Sequence, residues 1–246
     1  MSFFATTAQT IPTDTTISII QNQTNDAPVP KKWEGLDLGN RSSDHFMVQF
    51  GLDNWSGAND SASPQGFSRH FNIYFMLDKP FRTNPRFSVG LGAGIGSSNI
   101  FFERTNVDVK SQAARLPFTR LDSANHFKKY KLTTVFVEAP VELRYNSNPI
   151  NTNKSFKMAL GLKIGTLINA HTKGKTLEDK NGKTVNAYIL KENSKRFFNG
   201  TRLALTGRVG IGLISLHGAY QITTLLKDGV GPELRPYSIG LSISGL

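Results

Sequence analysis

The chain has 246 residues, with 29 Lys and Arg against 18 Asp and Glu, which gives a net charge of +11. It contains no cysteine, which excludes a disulfide framework and a cysteine-ligated metal site. No run approaches the roughly 18 apolar residues of a membrane-spanning helix, so a helical membrane protein is excluded. The length suits one large all-β domain.

The first residues are similar to the end of a secretion signal. Phe3 and Phe4 suit the end of an apolar core, and small residues lead to a cleavage site near Ala8. No basic segment precedes them, and a frayed N-terminus is the alternative. We interpret residues 1–8 as the remnant of a signal peptide.

Residues 9–44 are rich in Thr, Asn, Asp and Pro and show little periodicity. This composition predicts an extended arm. Pro28, Pro30 and Trp33 are candidate contacts for a periplasmic protein partner. The alternative is a disordered spacer without a binding role.

From Phe87 the chain alternates between apolar and small residues. One register contains Phe87, Val89, Leu91, Ala93 and Ile95, whereas the other contains mainly glycine. A period of two indicates a β-strand whose two faces meet different environments.

The same alternation predicts strands in eight segments. They lie at 45–54, 68–78, 86–102, 130–145, 155–171, 201–213, 216–225 and 237–246. Several reach the roughly 9 to 11 residues that a tilted strand needs to cross a bilayer. We therefore predict that residues 45–246 form an eight-stranded, antiparallel, up-and-down transmembrane β-barrel. An even strand number places both termini on the same, periplasmic side.

Two features favour a barrel in lipid over a soluble lipid-binding barrel such as a lipocalin. Glycine and serine crowd the polar register, where a solvated face normally carries more charge. Long connections at 55–67, 103–129 and 172–200 also alternate with short ones, including a two-residue turn at Ile214 and Ser215. This alternation is typical of outer-membrane barrels. Aromatic residues at strand ends suit interfacial girdles, namely Trp55, Phe67, Phe81, Phe102, Tyr130, Tyr145, Phe197, Phe198 and Tyr237.

Charged residues occupy the polar register of three central strands. With eight strands the lumen is only wide enough for side chains to fill it, and charges there must pair. Asp53 or Asp78 could balance the excess of cations. We predict a lumen charge network of Glu138, Glu142, Arg144, Lys157, Lys163, Arg202 and Arg208.

Motifs for catalysis and for metal binding are scarce. The five histidines, His45, His70, His126, His171 and His217, lack metal-ligand spacing and are expected near strand ends or in loops. The sequence contains no Gly-x-Ser-x-Gly elbow. We therefore predict no enzyme activity, no catalytic residue, no metal and no cofactor.

The positive charge is concentrated in the presumed outer loops. Because the aromatic residues form no coherent stacking set on a basic groove, nucleic acid is not the predicted partner. Lipopolysaccharide and outer-membrane lipid are the simpler anionic partners, and a protein partner is the alternative. The candidate contacts are Arg104, Lys110, Arg115, Arg120, Lys128, Lys129, Lys173, Lys175, Lys195 and Arg196.

Three stretches carry a family resemblance. Residues 134–145 (TVFVEAPVELRY), 156–165 (FKMALGLKIG) and 225–240 (LLKDGVGPELRPYSIG) resemble the PorT-like outer-membrane β-barrel family of Bacteroidetes. The resemblance covers about residues 46–246. It implies an integral outer-membrane barrel of a family in which some members support type IX protein secretion and gliding.

The sequence thus predicts a non-enzymatic membrane anchor or accessory subunit of an envelope assembly, such as the type IX secretion or outer-membrane biogenesis machinery. A narrow channel for small solutes or ions is the first alternative. A soluble lipid-binding barrel is the second.

Overall fold

The computed structural model describes residues 45–60, 62–64, 66–151 and 154–245. The predicted signal remnant and the arm with Pro28, Pro30 and Trp33 lie outside the described residues. Within them, no helix is long and apolar enough to cross a membrane. The strands are β1 (Phe46–Ser56), β2 (Arg69–Pro80), β3 (Phe87–Phe102), β4 (Thr105–Val107), β5 (Phe118–Arg120), β6 (His126–Asn146), β7 (Phe156–Glu178), β8 (Thr184–Asn193), β9 (Thr201–Ile211), β10 (Ile214–Gln221) and β11 (Arg235–Ser244).

Eight of the described strands form a closed antiparallel barrel, in the order β1, β2, β3, β6, β7, β9, β10 and β11. Each strand pairs with the next, and β11 pairs with β1 to close the barrel, with Ile239 opposite Leu52. The predicted eight-stranded, up-and-down architecture is therefore confirmed.

The structure corrects the details of the connections. Ile214 and Ser215 do not form a turn but begin β10, and the turn lies at Gly212 and Leu213. Gly212 has a φ of 64°, a left-handed conformation that glycine adopts without strain. The long connections also contain strands, because β4 pairs with β5, and β8 pairs with the extension of β7.

The apolar register of the barrel strands faces outward. Phe71, Leu77 and Leu91 remain 50%, 56% and 51% exposed, whereas Glu138 and Lys163 on the opposite register are buried. A continuous exposed belt of large apolar side chains requires lipid rather than water around it. This orientation is the reverse of that expected for a soluble lipid-binding barrel, in which the apolar register lines the cavity.

An apolar cap closes the lumen at the end that carries the long loops. It combines inner-face residues of the strands with residues from four connections, namely Trp55, Ala62, Ile100, Phe102, Val107, Val109, Leu116, Tyr130, Leu132, Phe136, Leu167, Ala170, Phe197, Phe198, Leu225, Leu226 and Leu234. The Trp55 indole Nε1 donates a hydrogen bond to the Ala62 carbonyl at 3.0 Å.

The cap corrects the prediction of an aromatic girdle. Trp55, Phe102, Tyr130, Phe197 and Phe198 are buried in the cap and do not face the bilayer interface. Burial inside the folded loops removes their large apolar surfaces from water, as contact with lipid would. The sequence pattern could not distinguish between these two environments. Phe67, Phe81 and Tyr237 are exposed.

We expect Leu91→Arg to destabilise the barrel in a phospholipid bilayer by about 2–4 kcal/mol, because Leu91 lies in the middle of the outward apolar register of β3. Guanidinium unfolding of the full chain in vesicles measures this loss. Phe67→Arg, at a loop position that is 76% exposed, is the matched control and should change stability little. Equal stability of Leu91→Arg and the wild type would contradict the outward orientation.

Candidate functional site

Two carboxylates in the lumen are each paired with two cations, and Glu138 on β6 is the first. Its Oε1 accepts a hydrogen bond from Arg202 Nη1 at 2.9 Å. Its Oε2 lies 3.2 Å from Lys163 Nζ and accepts a short hydrogen bond from the Tyr74 hydroxyl. Arg202 also lies over the Phe136 ring. The carboxylate is thus held between two cations that belong to other strands.

Glu142 lies four residues further along the same strand face and is also paired with two cations, Arg144 of β6 itself and Arg208 of β9. Its Oε2 accepts hydrogen bonds from Arg144 Nε at 2.9 Å and from Arg208 Nη2 at 3.0 Å. Arg208 Nη1 also donates to the Ser244 hydroxyl at 3.1 Å, which connects β9 with β11. Asp78 on β2 lies 3.5 Å from Arg144 Nη1. The two clusters together connect strands on opposite walls of the barrel.

The structure therefore brings together six of the seven residues predicted for the lumen network. Lys157, the seventh, is buried on the same inward register of β7 as Lys163. Asp78, one of the two acids considered as a counter-charge, joins the network through Arg144. Tyr74 is a member that sequence reasoning missed, because a tyrosine in an alternating strand gives no signal of its hydroxyl partner.

Glycines on the neighbouring strands provide the volume that these side chains occupy. Gly94 and Gly165 lie directly opposite Glu138, and Gly90 and Gly161 lie directly opposite Glu142. A Cβ at Gly165 would lie 3.0 Å from Glu138 Cγ, and one at Gly90 would collide with the Arg144 guanidinium. The glycine-rich register of β3 therefore leaves the volume that the charged side chains of β6 occupy.

A second polar chain crosses the lumen. Asp53 Oδ1 lies 2.8 Å from His70 Nδ1, and His70 Nε2 lies 3.0 Å from His217 Nε2. The Ser98 hydroxyl donates a short hydrogen bond to the other Asp53 oxygen. The expectation that histidines lie near strand ends or in loops is wrong for His217, which is inside β10 and buried. Every second side chain of β10 points inward, and this alternation was the signal in the sequence that could have identified His217 as buried.

The polar chain does not have the arrangement of a hydrolytic site. Ser98 bonds the aspartate rather than a histidine, so the serine lacks the neighbouring base that activates a nucleophile. Among the residues that the structure describes, no group of three His, Cys, Asp or Glu side chains could hold a metal ion. The arrangement suits a structural role, in which buried polar groups satisfy one another.

Little space remains between the charge network and the apolar cap. The cavity there has a volume of about 10 Å³ and is lined by residues of both, including Trp55, Ser98, Phe136 and Arg202. A volume of this size holds about one water molecule. At the other end, Met47, Tyr74 and Met76 form a second buried cluster. These layers together obstruct the lumen.

The ten candidate contacts in the loops are spread over several segments. Lys128 pairs with Glu178 at 3.1 Å, and Arg120 pairs with Asp122 at 3.2 Å. Arg196 donates hydrogen bonds to the Ser111 carbonyl and to Gln112 Oε1, at 3.1 and 3.0 Å, and so connects two long loops. Lys173 lies on β7 and is half-buried, and the remaining six are exposed, namely Arg104, Lys110, Arg115, Lys129, Lys175 and Lys195.

The apolar outer belt, the closed strand order and the charge-filled lumen define a transmembrane β-barrel. The chain belongs to the outer-membrane β-barrel family whose model is described as "Outer membrane protein beta-barrel domain" and matches residues 35–227. This membership places the protein in the bacterial outer membrane.

Two solved structures of one bacterial protein are similar to the chain. The first is Ail, the attachment invasion locus protein of Yersinia pestis, with 13% identity and a TM-score of 0.32, covering 81% of this chain and 94% of that one. The second is Ail in complex with the heparin analogue sucrose octasulfate, with 12% identity, a TM-score of 0.31 and the same coverage. A search of curated proteins found no match.

We expect Glu138→Gln to destabilise the protein by about 3–5 kcal/mol, because it leaves Lys163 and Arg202 buried beside a neutral group. Guanidinium unfolding in detergent micelles, followed by tryptophan fluorescence, measures the loss. Glu233→Gln is the matched control, since its exposed pair with Arg235 contributes at most about 1 kcal/mol. An equal, small effect of both changes would contradict the network's structural role.

We expect Gly96→Val to cost about 1–3 kcal/mol, because a Cβ there lies 2.7 Å from Glu138 Oε2 and 2.9 Å from Asn72 Oδ1. Gly207→Val is the control on the lipid face, where the nearest heavy atom to the new Cβ is Leu160 Cδ2 at 3.5 Å. The same unfolding measurement compares the two. The steric account fails if the lumen variant is as stable as the control.

Proposed function

We propose that the protein is a non-enzymatic anchor or accessory subunit of an envelope assembly, such as the type IX secretion or outer-membrane biogenesis machinery. The obstructed lumen supports a structural role over that of a narrow channel for small solutes or ions. Layers of apolar and paired charged side chains interrupt the wet path that conduction requires.

The strand β8 is the observation that carries this proposal. It pairs with the extension of β7 along one edge and ends the sheet within the described residues, so its other edge has no strand beside it. Every residue from Thr184 to Lys191 is exposed. An unpaired strand edge offers a row of backbone donors and acceptors to another chain.

The hairpin of β7 and β8 also exposes apolar side chains away from the lipid belt. Val185 and Ile189 are 55% and 58% exposed, and Tyr188 and Leu190 on the alternate register are exposed as well. Tyr188 packs edge-to-face against Phe127 on β6, which fixes one side of the hairpin to the barrel. Exposed apolar groups beside an open strand edge suit a protein partner that adds a strand.

The family resemblance and the orientation of the barrel in the membrane extend the proposal. The resemblance of residues 134–145, 156–165 and 225–240 to the PorT-like family supports a secretion assembly of Bacteroidetes as the setting. We propose that the long-loop end faces outward and that both termini are periplasmic. On that orientation the arm of residues 9–44 supplies a second contact, through Pro28, Pro30 and Trp33.

Purification of the tagged full chain from native membranes tests this function. We expect one envelope protein to copurify in stoichiometric amount with the wild type. Val185→Glu/Ile189→Glu should reduce its recovery about tenfold, because the change removes apolar contacts from the centre of the proposed interface. The heat-dependent gel shift of the variant confirms that its barrel is folded.

Thr184→Glu/Asn186→Glu is the matched control. It adds the same charge to exposed polar positions of the same strand and should retain the partner. A wild-type protein that purifies alone contradicts the accessory role. A partner that binds the Val185→Glu/Ile189→Glu variant as well as the wild type contradicts the role of β8.

A further inference from the structure

Four cations lie near one another on the outward face at the long-loop end, with β3 between the first of them and the other three. We call Arg69, Lys131, Lys173 and Lys191 the rim cation cluster; they belong to β2, β6, β7 and β8. Lys131 lies directly opposite Lys173, and Lys173 lies directly opposite Lys191. Directly opposite residues of an antiparallel pair point to the same face, with Cβ atoms about 5 Å apart.

Within the part of the chain that the structure describes, none of the four side chains of the rim cation cluster makes an ion pair with an Asp or Glu. Like charges directly opposite one another destabilise a sheet. An anion at this position would relieve the repulsion.

Two further residues shape the cluster into a groove. Lys131 Nζ donates a hydrogen bond to Asn99 Oδ1 at 2.6 Å. Lys131 Nζ and the Arg69 guanidinium lie 5.9 and 5.5 Å from the centre of the Phe101 ring. The groove has a volume of about 370 Å³ and includes Arg69, Phe71, Asn99, Phe101 and Lys131 in its lining.

The position of the groove identifies its ligand chemistry. Phe71, the next outward residue after Arg69, is 50% exposed and belongs to the apolar belt. On β6 the outward register changes from Lys131 and Thr133 to the apolar run that begins at Val135. The cations therefore lie where the lipid-facing belt ends, at the level of lipid headgroups. Headgroup phosphates pair strongly with Arg and Lys there.

We propose that the rim cation cluster binds the phosphate groups of lipopolysaccharide, with the lipid's acyl chains against the apolar belt beside Phe71. This inference rests on the outward orientation of the long-loop end in the proposed function. Of the ten loop residues suggested by the sequence, the cluster contains only Lys173. Arg69, Lys131 and Lys191 are contributed by the strand pairing.

Lipid titration of the full chain in detergent micelles tests the site, with bound lipid counted by native mass spectrometry. The test variant is Arg69→Gln/Lys131→Gln/Lys173→Gln. The matched control, Lys79→Gln/Arg82→Gln/Lys154→Gln, removes the same number of Lys and Arg charges from exposed positions at the short-turn end. The probes are diphosphoryl lipid A, its dephosphorylated form and inorganic phosphate.

We expect the test variant to bind diphosphoryl lipid A about tenfold more weakly than the wild type, and the control to bind it as the wild type does. Dephosphorylated lipid A should bind as weakly to the wild type as the diphosphoryl form does to the test variant. Inorganic phosphate should displace the lipid poorly, because it lacks acyl chains.

Three results would overturn the site. They are equal binding of diphosphoryl lipid A by the test variant and the wild type, equal binding of the two lipid forms, and displacement of the lipid by low concentrations of inorganic phosphate. The last would indicate a site for free phosphate. No partner protein takes part in the lipid titration. A purification in which no envelope partner copurifies would contradict the proposed function and would leave the lipid result unchanged.

Discussion

Paired charge inside a narrow barrel is the constraint on which the rest of this structure depends. Glu138 and Glu142 are each paired with two cations, and all of these cations except Arg144 belong to other strands. A buried carboxylate without these partners would cost several kcal/mol. The strands must therefore close in one register, because a shift of one residue would turn these side chains towards lipid.

Other features of the barrel follow from the charged side chains that fill its lumen. Glycine on β3 and β7 leaves room for the charged side chains, and the apolar register opposite them faces lipid. The loops at one end fold over the lumen and bury aromatic residues in a cap. In the proposed function, a barrel obstructed in this way acts through its surface, namely through the β7–β8 hairpin and the rim cation cluster.

Sequence reasoning found the strands and the inward charges because both depend on a local period of two. It placed every barrel strand and grouped Glu138, Glu142 and five cations on one register. It misplaced Trp55 and Phe198, because lipid and a folded cap both bury apolar surface. It also missed the contact between His70 and His217, which are 147 residues apart in the chain.

The sequence by itself determined the alternation of faces, since each side chain's direction in a strand follows from its neighbours along the chain. It thereby determined the strand number, the two environments and the residues available to fill the lumen. Only the tertiary structure decided which inward groups pair with one another, how the long loops close the lumen and which cations meet at the rim. Those outcomes depend on pairing between strands distant in the chain, and local periodicity contains no information about such pairing.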